Sequence, residues 1–377
     1  MWLLRLGYYK LNRPKEKGED WVWIVDHIIQ TGTQKSMLIL GIRLSSMPKE
    51  RSLRYEDLEP LALMVVTKST GEIVYQQLEE TIKKTGIPRQ IVADEGSDLK
   101  AGINKFVKKH PETDYMHDIK HKGALVLKGE LGKDEEWLKF TKLANQTKNQ
   151  VQQTELAPLA PPKQKSKARY MNVDILIRWG EKMTAFFEQA QQEGSEFDLK
   201  QVEEKFGWIL EFETQLSKWG EMLEVVTIIE SFVRKKGLYN GCSSVLKELP
   251  TLQVSTQCAT RVCQKLLTFV EEQEKKAKPN ERLAGSSEVI ESVFGKFKQV
   301  EDAQAKSGFT GLLLSLPAMV STTTPDIVKR ALETVPVKDV LAWCKENLGV
   351  SIQAKRKKAF SFFKKTEQKW HLPSQSP

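Results

Sequence analysis

The stretch WVWIVDHII, residues 21–29, constrains the fold most, because it places one carboxylate, Asp26, inside an otherwise apolar run. Apolar residues at both odd and even positions predict a central β-strand that is covered on both faces. An unpaired carboxylate in such a strand is costly to bury, so the group is normally neutralised, hydrogen-bonded or bound to a metal ion. Asp26 therefore needs a compensating partner.

A second stretch, QIVADEGSDL at residues 90–99, repeats this pattern: three apolar residues, Ile91 to Ala93, lead directly into Asp94 and a turn. Two strands that each deliver an aspartate can form a divalent-metal site, and carboxylate oxygens suit Mg²⁺ or Mn²⁺. The alternative is that backbone amides satisfy Asp26 and that Asp94 is an ordinary turn or helix-cap residue.

The hydrophobic patterns predict an ordered series of elements in the first third of the chain. The predicted strands are residues 21–29, 35–44, 61–68, 90–93 and 114–121, with a turn at 30–34. Helices are predicted at residues 70–85 and 99–109, and Asp98 is predicted to cap the second. The first three strands can form an antiparallel meander, while the later two add in parallel through helical crossovers. Strands one and four are then neighbours, which brings Asp26 and Asp94 together.

Beyond residue 125 the strand patterns end and helical patterns take over. Helices are predicted at residues 137–145, 172–192, 199–218, 222–236 and 254–276. Residues 156–169, LAPLAPPKQKSKAR, form a Pro-rich basic loop. Trp179, Trp208 and Trp219 are expected to pack in the core of this region, with stacking on a displaced DNA base as the alternative.

The run SSEVIESVFGKFK, residues 286–298, predicts an amphipathic helix. Its apolar face consists of Val289, Ile290, Val293, Phe294 and Phe297. A second stripe carries Glu288, Glu291, Gly295 and Lys298. This stripe is either a solvated polar face or part of a site. Two further helices are predicted at residues 325–334 and 337–347, followed by a basic tail with interleaved aromatic residues from 351 onwards.

Charge, cysteine content and hydropathy indicate which kinds of protein this chain can be. The net charge is +9 and the sequence pI about 9.1, which favours a polyanionic partner. The cysteines Cys242, Cys258, Cys263 and Cys344 include no CxxC pair, so neither a disulfide scaffold nor a zinc module is predicted. The chain has no apolar run of the ~18 residues that a membrane span needs and no secretory signal, so we expect a cytoplasmic protein without membrane contact.

The order of these elements resembles the ribonuclease-H-like catalytic core of DDE transposases from bacterial insertion sequences. Three motifs carry the resemblance: Asp26 in WIVDHI, Asp94 in VADEGSD and Glu291 in SEVIESVFGKFK. In that family a basic residue often follows the last glutamate after six residues, as Lys298 does here. Ala284 and Ser287 stand where some of its groups place Tyr and Arg.

The resemblance implies a mixed five-stranded α/β sheet, three strands antiparallel and then two parallel, flanked by helices. A mostly helical insertion interrupts it before the last catalytic helix. Asp26, Asp94 and Glu291 would be both catalytic and metal-ligating, holding two Mg²⁺ or Mn²⁺ ions, with Asp26 bridging both; Glu288 is the alternative third acid. The enzyme would cleave transposon ends and join them to target DNA.

The expected domain organisation follows from these assignments. Residues 1–20 are a lead-in, 21–124 the first part of the core, 125–284 the insertion, 285–306 the catalytic helix and 307–377 a helical region with the basic tail.

DNA contacts are expected from Lys298, Lys120 and His121, with Asp118 as a reserve ligand. The protein would act as a homodimer or higher oligomer on DNA, in a bacterial cytoplasm and at the nucleoid. The rival functions are a ribonuclease-H-like nuclease without strand transfer and a repurposed transposase that only binds DNA.

Overall fold

The computed structural model divides the chain into two compact units, Met1–Met116 with Ser287–Pro377, and His117–Ser286. The structure describes residues 1–29, 35–66, 68–163, 173–193, 197–302, 310–348 and 360–361. The predicted turn at 30–34 and nearly all of the basic tail lie outside these ranges.

Strands and helices follow one another in an order that separates the sheet from the helical region. The strands are β1 Trp21–Ile29, β2 Lys35–Arg43, β3 Glu59–Val66, β4 Gln90–Ala93 and β5 Asp114–His117. The helices are α1 Trp2–Asn12, α2 Gly71–Thr85, α3 Ser97–Lys109, α4 Ile119–Leu131, α5 Glu135–Val151, α6 Val173–Glu193, α7 Leu199–Phe206, α8 Glu213–Lys236, α9 Cys242–Lys247, α10 Gln257–Glu274, α11 Glu288–Asp302, α12 Ser315–Met319, α13 Pro325–Thr334 and α14 Val337–Leu348.

The strands form one mixed sheet in the order β3-β2-β1-β4-β5. β1 and β2 are antiparallel, with Asp26 opposite Leu38, and β2 and β3 are also antiparallel. β1 and β4 are parallel, with Val25 opposite Ala93, and β5 continues the parallel part of the sheet. This is the ribonuclease-H-like arrangement, and the predicted fold class is confirmed.

β1 is covered on both faces, as its apolar pattern predicts. Trp21, Trp23 and Val25 join one hydrophobic cluster with residues of α2 and α3, while Val22 and Ile24 of the alternate positions are also fully buried. Such burial stabilises the fold by about 1.5–3 kcal/mol for each large side chain. The strand at the centre of the sheet is therefore also the centre of the core.

α11 packs against β1 through its apolar face. Val289, Ile290, Val293, Phe294 and Phe297 are all buried. The predicted apolar face of this helix is therefore confirmed. The helices predicted at 325–334 and 337–347 are also found, as α13 and α14.

The first residues of the chain form a helix that the sequence prediction did not assign. α1 contacts α12, α13 and α14, so the beginning and the end of the first unit pack together. A Cβ at Gly7 would clash with the carbonyl oxygen of Leu314, so only glycine permits this approach. Leu6 and Leu11 bury their side chains on the same helix.

The helical unit is closed where the chain enters and leaves it. The N–H of Ile119 donates to the carbonyl of Gly285 at 3.0 Å, and Leu238 pairs with Leu283 in an isolated β-bridge. α8 runs unbroken through Gly220, so the predicted interruption between 218 and 222 is wrong. Glycine lowers helix stability by only about 1 kcal/mol, and a Cβ at this position would clash with the carboxylate of Glu181.

The three tryptophans of the insertion pack in its core, as expected. The indole N–H groups of Trp219, Trp179 and Trp208 donate to Asp134, to the carbonyl of Leu159 and to Thr147, respectively. Their rings contact Phe140 at centroid distances of 5.3–6.3 Å. These side chains serve the fold of the insertion.

We expect Lys10→Met to lower the free energy of unfolding by about 3 kcal/mol, because buried acceptors would lose a charged donor. Lys10 is fully buried and donates to the carbonyls of Ala318, Val320 and Ser321 and to Thr323, at 2.7–3.2 Å. Urea denaturation measures the change. The control is Lys83→Met, an exposed lysine, whose effect should stay within about 0.5 kcal/mol. Equal losses in both variants would contradict a specific role for Lys10.

Candidate active site

Asp26 lies near the carboxyl end of β1, immediately after the buried Val25. Side chains alternate along a strand, so Asp26 points to the face opposite that of Val25 and His27. The residue is half-buried, and its Oδ1 accepts a hydrogen bond of 2.6 Å from the N–H of His27. The backbone therefore orients this carboxylate, and α11 contacts the strand that carries it.

Asp94 directly follows β4 on the neighbouring strand. Because Val25 and Ala93 are partners in the parallel ladder, Asp26 and Asp94 are the next residues on strands about 4.8 Å apart. Asp94 is only 6% exposed, and its Oδ1 accepts a hydrogen bond of 2.9 Å from the N–H of Gly96. The Tyr115 hydroxyl donates to the Asp94 carbonyl at 2.6 Å. The predicted neighbourhood of the first and fourth strands is confirmed.

The third predicted acid is on α11. Glu291 and its alternative, Glu288, are both half-buried in the first two turns of this helix, whereas Lys298 is exposed. All belong to the same compact unit as Asp26 and Asp94.

Within the ranges that the structure describes, no three His, Cys, Asp or Glu side chains are grouped closely enough to hold a metal ion. The structure thus brings two of the predicted ligands to adjacent strand ends and the third onto a helix in contact with one of those strands. The complete three-carboxylate site stays a prediction.

The residues after β5 are arranged differently from the prediction. The strand ends at His117, and Asp118 caps α4 by accepting from the N–H of His121 at 3.0 Å. The predicted strand over 114–121 is therefore too long, because a capping aspartate offers the backbone a helix start. Lys120 and His121 lie half-buried in the first turn of α4, in the helical unit. Their role in DNA binding stays a prediction.

Four polar side chains that the sequence analysis did not connect meet behind Asp26, on the opposite face of the sheet. His27 Nε2 lies 3.3 Å from Ser69 Oγ, and His27 Nδ1 lies 3.9 Å from Asp98 Oδ2. Lys35 Nζ donates to Asp98 Oδ2 at 3.1 Å. We call His27, Lys35, Ser69 and Asp98 the His27 cluster. In the sequence, the only indication of this cluster is that a polar residue, His27, follows Asp26 in a buried strand.

Asp98 is not the helix cap that the sequence predicts. The N-cap of α3 is Gly96, and Asp98 lies within the first turn, where its carboxylate contacts the cluster. Burial alone would raise the pKa of Asp98, but hydrogen bonds from Ser69 and Lys35 and the charges of His27 and Lys35 lower this pKa to about 2. Burial lowers the pKa of His27, although the Asp98 charge acts in the opposite direction.

Comparisons with known proteins give a structural likeness. No family model and no curated protein matches the chain. Among solved structures, the chain is similar to the Drosophila P element transposase strand transfer complex, at 10% sequence identity and a TM-score of 0.41. The similarity covers 86% of this chain and 81% of that chain. The strand order and pairing of the sheet define the ribonuclease-H-like fold.

No helix in the described ranges is both long enough and apolar enough to cross a membrane.

We expect Asp98→Asn to lower the free energy of unfolding by about 2 kcal/mol at about pH 7. Because the pKa of Asp98 is depressed in the folded state, the ionised carboxylate stabilises the fold fully above its ordinary pKa of 3.8. This contribution is lost as the pH falls from about 4 to about 2. Urea denaturation at about pH 7 and about pH 3 measures it, with the exposed Asp302→Asn as the control. A difference from wild type that is the same at both pH values would contradict this pKa.

Proposed function

We propose that this protein is a DDE-type transposase, which cleaves phosphodiester bonds at transposon ends and transfers the ends to target DNA. One observation carries the proposal: a ribonuclease-H-like sheet places Asp26 near the end of β1 beside Asp94, which directly follows β4, and the helix with Glu291 returns against β1 after a helical insertion. Two carboxylates at the same edge of a sheet provide the oxygen ligands that Mg²⁺ or Mn²⁺ prefers. Membership of the bacterial insertion-sequence group is part of the same proposal.

Asp26, Asp94 and Glu291 are the proposed ligands. Ions held by these residues would supply activation of the attacking oxygen and stabilisation of the leaving oxygen of the phosphodiester. Asp26 is proposed to contribute to both ions. The N–H of Gly96 orients Asp94, and Glu291 would supply the third carboxylate.

Positive charge supports DNA as the partner. The chain carries a net charge of +9, and Lys298 is exposed on α11, about 10 Å along the helix from Glu291. In this position Lys298 would contact a phosphate next to the cleaved bond, which positions DNA without reading its sequence. Lys120 and His121 are further proposed contacts, and the active form would be a homodimer or higher oligomer.

We expect Asp26→Asn, Asp94→Asn and Glu291→Gln each to reduce cleavage more than about 100-fold, because each removes an anionic ligand. DNA binding without divalent cation should change little. Glu288→Gln is the matched control, since Glu288 shares the helix and the half-buried environment of Glu291. Cleavage and binding are measured on DNA that flanks the protein's own gene. An active Glu291→Gln together with an inactive Glu288→Gln would assign the third ligand to Glu288.

Joined products separate a transposase from a nuclease of the same fold. We expect the wild-type protein with Mg²⁺ to join the 3′-hydroxyl ends of this flanking DNA to a supercoiled plasmid, and Asp26→Asn to produce no joined molecules. Sequencing across the junctions measures the reaction. Cleavage without junctions would instead indicate a nuclease, and binding without cleavage a repurposed DNA-binding protein.

A further inference from the structure

The His27 cluster connects several elements behind the proposed metal site. His27 belongs to β1, Lys35 to the start of β2, Ser69 to the loop before α2 and Asp98 to the first turn of α3. The side chain of His27 is only 6% exposed and that of Asp98 only 15%. The polar contacts of the cluster therefore connect four segments of the first unit in a largely buried environment.

His27 of the cluster directly follows the first aspartate, Asp26, in the chain. On one face of the sheet, the side chain of His27 lies 3.3 Å from Ser69 Oγ and 3.9 Å from Asp98 Oδ2. The backbone N–H of the same residue donates to Asp26 Oδ1, whose side chain points to the other face. A shift of His27 therefore moves a hydrogen-bond donor of the Asp26 carboxylate.

The cluster is also connected to the second aspartate, through the beginning of α3. Asp98 lies two residues after Gly96, whose N–H donates to Asp94 Oδ1 at 2.9 Å. A Cβ at Gly96 would lie 3.0 Å from that oxygen, so the backbone and the carboxylate are in close contact. The same helix end thus holds Asp94 through Gly96 and contacts His27 through Asp98.

We propose that His27, Ser69 and Asp98 act as positioning residues, which fix the spacing and orientation of the Asp26 and Asp94 carboxylates for divalent-ion binding. The inference rests on the proposed function, because it concerns the same two carboxylates. It adds residues whose side chains lie on the face of the sheet opposite the Asp26 carboxylate. Residues that orient metal ligands typically change metal affinity about 10- to 100-fold when they are replaced.

The test is Mn²⁺ binding by the full chain without DNA, measured by electron paramagnetic resonance of the free ion. We expect His27→Ala to raise the Kd for Mn²⁺ about 10- to 100-fold. Ser69→Ala should also raise this Kd, and Ser69→Thr should restore it to near the wild-type value because it keeps the hydroxyl. Ser69 is half-buried, so its variants carry the test if His27→Ala does not fold.

His110→Ala is the matched control. His110 contacts the same side of the core: its ring lies 4.6 Å from that of Phe106, and its Nε2 lies 2.9 Å from Glu79. The change removes a histidine with a carboxylate partner, but it leaves the environment of Asp26 and Asp94 intact. We expect a loss of thermal stability and an unchanged Kd for Mn²⁺.

Three outcomes would overturn the inference, and they are distinguishable. Wild-type Mn²⁺ affinity in His27→Ala or in Ser69→Ala would refute positioning while leaving the proposed function intact. Equal losses of affinity in His27→Ala and His110→Ala would show that general destabilisation is the cause. Wild-type protein that binds Mn²⁺ no more tightly than Asp26→Asn would overturn the proposed function, and the positioning role with it.

Discussion

The parallel pairing of β1 with β4 is the constraint on which the rest of the structure depends. It sets Val25 opposite Ala93, and the next residue on each strand is an aspartate. Two carboxylates on adjacent strand ends repel each other and lose solvation, so the arrangement is costly unless donors or cations compensate it. Backbone N–H groups of His27 and Gly96 supply part of this compensation. The proposed divalent cations would add to this compensation.

The connectivity explains how a third acid can reach the same unit. The chain leaves the sheet after β5, forms the helical unit His117–Ser286, and returns as α11. Contacts between Ile119 and Gly285 close the helical unit at its base. An insertion of this kind can vary in size without disturbing the sheet, because its two ends meet. The buried apolar face of α11 then fixes the helix that carries Glu291 against β1.

Local patterns were sufficient to predict most of the sheet. The continuous apolar runs of β1 and of the stretch before Asp94 are buried on both faces, and the helical period of α11 matches its buried apolar face. The pairing of β1 with β4 followed from the order of strands and helices, because crossovers between parallel strands are right-handed. For these elements the local preference and the tertiary structure agree.

Features that depend on contacts distant in sequence were missed. α1 is stabilised by packing against α12 and α13, which no local pattern in residues 1–20 reveals. Asp98 has the sequence features of a helix cap, yet it contacts His27 and Lys35, which precede it by more than 60 residues. The predicted strand over 114–121 missed the start of α4, because this helix start depends on a single side chain, that of Asp118, which caps the helix. In each case a tertiary or capping contact, rather than periodicity, determined the structure.

The central claim is that Asp26, Asp94 and Glu291 converge on a pair of divalent ions. Anomalous diffraction from crystals grown with Mn²⁺ would test it most directly, because the ion positions are located independently of the protein atoms. We expect two anomalous peaks near the ends of β1 and β4, with Asp26 contacting both and Glu291 contacting one. Peaks elsewhere, or peaks at these strand ends with no carboxylate of α11 among the ligands, would contradict it.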